Sequence, residues 1–158
     1  ILFCSGWRNK GKELGFKYPM TNIQAAIGLA QLEGIEKVIR NKRMVAEKYN
    51  KLLREIPGLT TPYEDKKVRN VYWMYGILIE DEFGKKRDYV KKMLFGRGID
   101  TRFFFTGMHK QPIFERENRK FPITDNLEKR GMYIPSSSNL TEDQIRYICS
   151  SIAKIQKG

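Results

Sequence analysis

From residue 22 onward, apolar residues recur at helical spacing: Ile23, Ala26, Ile27, Ala30 and Leu32, then Ile35, Val38, Ile39, Val45, Tyr49, Leu52 and Leu53. This pattern predicts one long helix, or two consecutive ones, over residues 22–56, capped by Thr21 or Asn22, bent at Gly34 and stopped by Pro57-Gly58. Its first turns are rich in Ala and carry Gly28, small residues that let another backbone come close. The outer positions Arg40, Lys42, Arg43, Lys48, Lys51 and Arg54 read as a solvated face. Ahead of the helix, residues 1–19 form a basic, glycine-punctuated stretch that reads as a loop, with Tyr18 held extended by Pro19.

From Val71 the period changes. Residues 71–79 are β-branched and aromatic, with the composition of a strand that ends at the polar run before Gly84. Tyr89, Val90, Met93 and Leu94 predict a short amphipathic helix closed by Gly96 and Gly98, and residues 99–105 a second strand. Strand, helix and strand in that order suggest a small α/β unit. A polar loop over residues 106–121 is too long for a plain connector, and loops of that length are often functional. A short helix over 125–130, a strand over 132–134 and a turn over 135–139 follow. The last helix has the clearest start. Thr141 with Gln144 makes a capping box, Leu140 and Ile145 are placed to staple across it, and Ile145, Ile148, Cys149, Ile152 and Ile155 form its buried stripe.

Composition narrows the function classes. The 158 residues are 41% hydrophobic and 30% charged, enough to build a core and unlike a disordered tail. No apolar run approaches the ~20 residues of a membrane-spanning helix. Cys4 and Cys149 stand at opposite ends without CxxC spacing, and His109 is the single histidine, so disulfide frameworks, zinc ribbons and His-rich metal sites are poor readings. A reduced, cytoplasmic compartment is the default. The 30 Lys and Arg residues outnumber 18 Asp and Glu, a net charge of +12 that invites a polyanion-binding reading. Arg69, Tyr72 and Trp73 are the stacking surface such a reading would use. The basic residues are, however, interleaved with acids along the chain, so a stand-alone basic binding module is the alternative and a nucleic-acid partner is not expected.

Single motifs carry little. Gly96-Arg97-Gly98 follows a helix and lacks a third glycine, and Lys10-Gly11-Lys12 is no phosphate-binding loop. Asn139-Leu140-Thr141 fits a glycosylation sequon, but its Thr is the helix cap. His109 sits in a polar loop after the strand that carries Arg102, whose guanidinium is suited to a bidentate phosphate or carboxylate contact. Phe103, Phe104 and Phe105 alternate faces in a strand, which puts at least one ring in the core.

Two blocks taken together resemble a known family. Residues 15–33, centred on Tyr18-Pro19-Met20-Thr21-Asn22-Ile23-Gln24-Ala25-Ala26, resemble the helix-opening block of the DegT-type (DegT/DnrJ/StrS) sugar aminotransferases, which depend on pyridoxal phosphate. Gly98-Ile99-Asp100-Thr101-Arg102-Phe103-Phe104-Phe105 with Met108-His109-Lys110-Gln111-Pro112 resembles the branch typified by GDP-perosamine synthase. Weaker echoes lie at Tyr72-Trp73-Met74-Tyr75 and around Ile134-Pro135-Ser136-Ser137-Ser138, in family order.

The resemblance implies the C-terminal part of a fold-type I transferase. Residues 1–56 would be the end of the large domain and a long connecting helix, and residues 57–158 a small α/β (α+β) domain with a short, mostly antiparallel sheet covered by helices. It also implies amino transfer from glutamate to C4 of a 4-keto-6-deoxy sugar nucleotide of the perosamine type, for O-antigen or similar surface polysaccharide, by a homodimer. The lysine that forms the Schiff base with the cofactor would lie in a missing N-terminal pyridoxal domain. That expectation agrees with a chain beginning Ile1-Leu2-Phe3-Cys4 without an initiator Met, and it makes the piece alone inactive, with no catalytic residue and no covalently bound cofactor. Asn22 matches an Asn that reaches the cofactor phosphate of the partner subunit, which suits an amide at a helix N-terminus. His109 matches a loop histidine on the sugar-nucleotide side, and Arg102, Phe103 and Phe104 match positions near that pocket. Two departures stand out: Pro19 where many relatives have Arg, and Thr106-Gly107 where a Tyr-Pro pair is common.

Overall fold

A computed structural model of the chain describes residues 19–114 and 120–158. The opening loop through Tyr18, with Cys4, lies outside the described residues, as do residues 115–119 of the long polar loop. The chain divides into two compact units, Ile1–Glu36 and Lys37–Gly158. The boundary read from the sequence falls later, between residues 56 and 57.

In the first unit, helix α1 spans Asn22–Glu33. Thr21 is its cap: its hydroxyl accepts the Gln24 N–H at 3.3 Å, and the Gln24 side chain accepts the Thr21 N–H at 2.9 Å. Asn22 is therefore the first helical residue and not the cap. Gly34 ends α1, and helix α2 follows over Ile35–Leu53, so the sequence pattern resolves into two helices. No residue of α1 is buried; Ile23, Ile27, Leu29 and Leu32 are all exposed.

The second unit is built on a four-stranded antiparallel sheet in the order β1-β2-β4-β3. The strands are β1 (Leu59–Thr60), β2 (Tyr75–Ile79), β3 (Arg102–Phe103) and β4 (Gly131–Ile134). The central pair aligns Tyr75 with Ile134 and Ile77 with Met132. Period-two alternation sends Tyr75, Ile77, Ile79, Met132 and Ile134 to one face, where all five are buried. Against them pack Val45, Tyr49 and Leu53 of α2, Val90 and Leu94 of helix α3 (Arg87–Phe95), and the full predicted stripe of helix α5 (Glu142–Lys157). Tyr49 donates its hydroxyl to the Pro135 carbonyl at 2.8 Å and Tyr75 to Asn50 at 2.7 Å, so these two phenols enter the core with their polar ends paired. Helix α4 spans Pro122–Arg130, three residues longer at its start than predicted because Pro122 occupies the first turn.

Three expectations change. The strand predicted over 71–79 begins only at Tyr75, because Tyr72 has a left-handed φ of 47°. Its N–H is taken by the Asn70 side chain at 2.8 Å, and its hydroxyl donates to Glu64 at 3.3 Å. Of the strand predicted over 99–105, only Arg102–Phe103 pairs with β4. The basic face of α2 is not merely solvated. Lys42 donates to the carbonyls of Trp73 and Ser136, Arg43 grips Glu64 at 2.6 Å and the Asn70 carbonyl at 2.7 Å, and Lys48 pairs with Glu142 at 3.0 Å. Strand β1, only two residues long, is absent from the sequence reading. It leads from Gly58, whose φ of 71° and close approach to the Phe83 backbone leave no room for a side chain.

Candidate functional site

Asn22 opens α1 with an exposed side-chain amide. Thr21 satisfies the Gln24 N–H, and the Ala25 N–H reaches the Thr21 carbonyl at 2.9 Å, so the amides of Asn22 and Ile23 are the first-turn donors with no partner among the described residues. No acidic side chain lies in that turn. The donor set is neutral, unshielded and placed at the positive end of the helix dipole, so it fits a phosphate.

In the second unit, the two-residue strand β3 sorts its neighbours by face. Arg102 is paired in register with Tyr133 and shares the sheet face turned away from the core; Phe103, opposite Met132, points the other way. The Arg102 side chain is exposed, with no hydrogen bond or ion pair among the described residues. Phe104 turns back over the outer face. Its ring lies on two glycines, where a Cβ on Gly131 would come within 2.2 Å and one on Gly76 within 2.8 Å of ring carbons. It stacks on Tyr133 at 4.6 Å, and Phe105 tilts against the same ring at 5.9 Å. Phe103 is separated from this group: the Arg87 guanidinium sits 3.8 Å from its ring centre and Lys91 at 5.1 Å.

The His109 loop is fastened to α4. His109 Nε2 lies 3.0 Å from Asp125 Oδ1, and its ring packs on Phe121 at 4.8 Å. Lys110 bridges Asp125 at 2.8 Å and Glu128 at 2.9 Å, and Glu128 also accepts the Gly107 N–H at 3.2 Å. The Lys110 ammonium holds both carboxyls below their usual range; His109 assists at Asp125 and the Gly107 amide at Glu128. The same two acids raise Lys110. Gly107 leaves the space the imidazole fills, since a Cβ there would lie 2.6 Å from it.

Thus Arg102 and Phe104 share one sheet face, His109 is held on α4, Phe103 belongs to the opposite face, and Asn22 lies in the other compact unit. Three cavities of about 400, 410 and 500 Å³ are lined by described residues, and none of the five candidates lines them. No cluster among the described residues could hold a metal ion, and no described helix is long and apolar enough to cross a membrane. Sequence reasoning missed Tyr133, Asp125 and Glu128. For Tyr133 a signal existed: a glycine inside a strand often marks a close approach, and both Gly76 and Gly131 do so here.

Residues 4–153 match the DegT/DnrJ/EryC1/StrS aminotransferase family. The chain is 36% identical over 141 residues to GDP-perosamine synthase of Vibrio cholerae, covering 88% of this chain and 38% of that protein. It is 37% identical over 139 residues to GDP-perosamine synthase of Escherichia coli O157:H7, covering 88% and 37%. Among solved structures, Helicobacter pylori PseC, an aminotransferase involved in the biosynthesis of pseudoaminic acid, superposes with a TM-score of 0.83 at 18% identity, covering 99% of this chain and 43% of that one. That likeness concerns the fold, and it agrees with the expected C-terminal part carrying a small antiparallel sheet with covering helices. The chain spans less than half the length of these relatives.

Proposed function

The chain belongs to the DegT/DnrJ/EryC1/StrS aminotransferase family, and from that premise we propose that it is the C-terminal part of a pyridoxal-phosphate-dependent sugar aminotransferase. The whole enzyme moves an amino group from glutamate to C4 of a 4-keto-6-deoxy sugar nucleotide of the perosamine type, for O-antigen or related surface polysaccharide. The observation that carries this reading is the 36% and 37% identity to two GDP-perosamine synthases over 88% of the chain.

Each residue then has a task. Asn22 and the free amides of the first turn of α1 hold the cofactor phosphate of the partner subunit in a cytoplasmic homodimer. Pyridoxal phosphate, when bound, supplies the electron sink and carries the amino group between substrates; the lysine that anchors it belongs to an N-terminal domain beyond this chain. The free guanidinium of Arg102 offers a planar fork to a nucleotide phosphate, and Tyr133, Phe104 and Phe105 wall that side with rings. Asp125, its carboxyl lowered by Lys110 and His109, lies 3.0 Å from His109 Nε2 and holds the imidazole in place on the sugar-nucleotide side.

The test uses the enzyme that contains this chain. Given glutamate and a GDP-linked 4-keto-6-deoxy sugar, it forms 2-oxoglutarate and the amino sugar nucleotide, while the 158-residue chain alone forms neither. Turnover by the chain alone would refute the division of labour, and no turnover by the whole enzyme would refute the activity.

A further inference from the structure

Strand β3 is an edge strand of two residues, held through its backbone only to β4. So short a strand does not fix its own position, yet it carries Arg102, and the loop after it carries His109. What fastens it is on α3. Lys91 donates to the Thr101 carbonyl at 2.5 Å, and Arg87, one turn earlier, lays its guanidinium 3.8 Å from the centre of the Phe103 ring. The same guanidinium donates through Nη1 to the Glu128 carbonyl in the last turn of α4 and pairs with Asp88 at 2.8 Å. The Glu128 side chain in turn holds the Gly107 amide and Lys110, on either side of His109. Arg87 is only 15% exposed, so this arrangement is shielded from water and from competing anions.

A single planar cation thus touches both carriers of the proposed sugar-nucleotide contacts: the strand with Arg102 and the helix that anchors the His109 loop. We propose that Arg87 is a positioning residue for sugar-nucleotide binding, setting the distance between Arg102 and His109 without touching the substrate; this rests on the function proposed above. Phe103, expected from the resemblance to line the pocket, serves as the surface on which Arg87 stacks. Lysine replaces it only in part, because an ammonium has no planar face to stack on Phe103 while also reaching the Glu128 carbonyl.

The experiment uses the enzyme that contains this chain, with Arg87→Ala, Arg87→Lys and Phe103→Leu, and measures KM for the sugar nucleotide, KM for glutamate and amide hydrogen exchange. Arg87→Ala is expected to raise KM for the sugar nucleotide about tenfold with KM for glutamate unchanged within about twofold, Arg87→Lys and Phe103→Leu falling between. Amides of residues 102–110 are expected to exchange about tenfold faster, those of α5 at the original rate. Should Arg87→Ala not fold, Arg87→Lys carries the same comparison. An unchanged KM for the sugar nucleotide, or both KM values rising together, overturns the proposal. Faster exchange over 102–110 in an enzyme that aminates no sugar nucleotide overturns the function proposed above while upholding Arg87 as the fastener; unchanged exchange with normal amination does the reverse.

Discussion

Replacing Gly131 by Ala tests the aromatic platform directly. The added methyl would lie 2.2 to 2.5 Å from three carbons of the Phe104 ring, so the ring must leave its seat. Overpacking of this kind costs about 1–3 kcal/mol, and separating Phe104 from Tyr133 forfeits about 0.5–1.5 kcal/mol. Against these stands a gain of about 0.5–1 kcal/mol for removing a glycine from a strand. The net expectation is a destabilisation of about 1–3 kcal/mol, seen as a fall of about 1 M in the urea midpoint at constant slope, followed by far-ultraviolet circular dichroism. The decisive arm is the double variant. With Phe104→Ala already present the clashing atoms are gone, so Gly131→Ala becomes neutral or mildly stabilising, a coupling of about 2 kcal/mol. An equal loss in both backgrounds would refute the claim that Gly131 exists to seat Phe104.

Other expectations follow from single contacts. Glu64 has its carboxyl lowered to about 2 by Arg43 and the Asn70 amide, so it binds fewer protons folded than unfolded. Its stabilisation is complete above about pH 4.5 and is lost as pH falls toward 2; Glu64→Gln should flatten the acid limb of stability against pH, and an unchanged limb would count against the pairing. Thr141→Ala should cost about 1 kcal/mol by removing the cap of α5 while Thr141→Ser retains it, read from melting curves. Burial pushes the Cys149 thiol up to about 12, so in a Cys4→Ser background iodoacetamide should label Cys149 only after denaturant is added, and native labelling would show that the α5 stripe opens.

How much of this was legible in the chain follows from how local each feature is. Helix α5 was readable in full, because Thr141, Gln144 and the Ile stripe lie within one short window. The opposite facing of Phe103 and Phe104 followed from strand alternation, but not which ring would be covered, since Arg87 and Gly131 arrive from elsewhere in the chain. The late start of β2 was hidden because Tyr72 is held by other side chains: its N–H by Asn70, its hydroxyl by Glu64, and Glu64 in turn by Arg43 on α2. Lys42 and Arg43 looked like solvent-facing positions of a helix, yet they clasp the carbonyls of Asn70, Trp73 and Ser136, 27 to 94 residues away, which only the fold brings near. For His109, the flanking motif marked the loop as functional through a family resemblance, but its partners Asp125 and Glu128 sit on the far side of that loop, where spacing alone says nothing.

The strand order has a consequence for how the chain is made. Strand β4 lies between β2 and β3, so the edge of β2 that it covers waits for residues 131–134 to leave the ribosome. At a synthesis rate of roughly 5–20 residues per second, the interval after Ile79 emerges is on the order of 3–10 s. During that time Tyr75, Ile77 and Ile79 have neither their central pairing partner nor α5 above them. A nascent chain stalled before Gly131 therefore presents an apolar strand with an open edge, the form most prone to pair with a neighbouring chain, whereas one stalled after α5 does not.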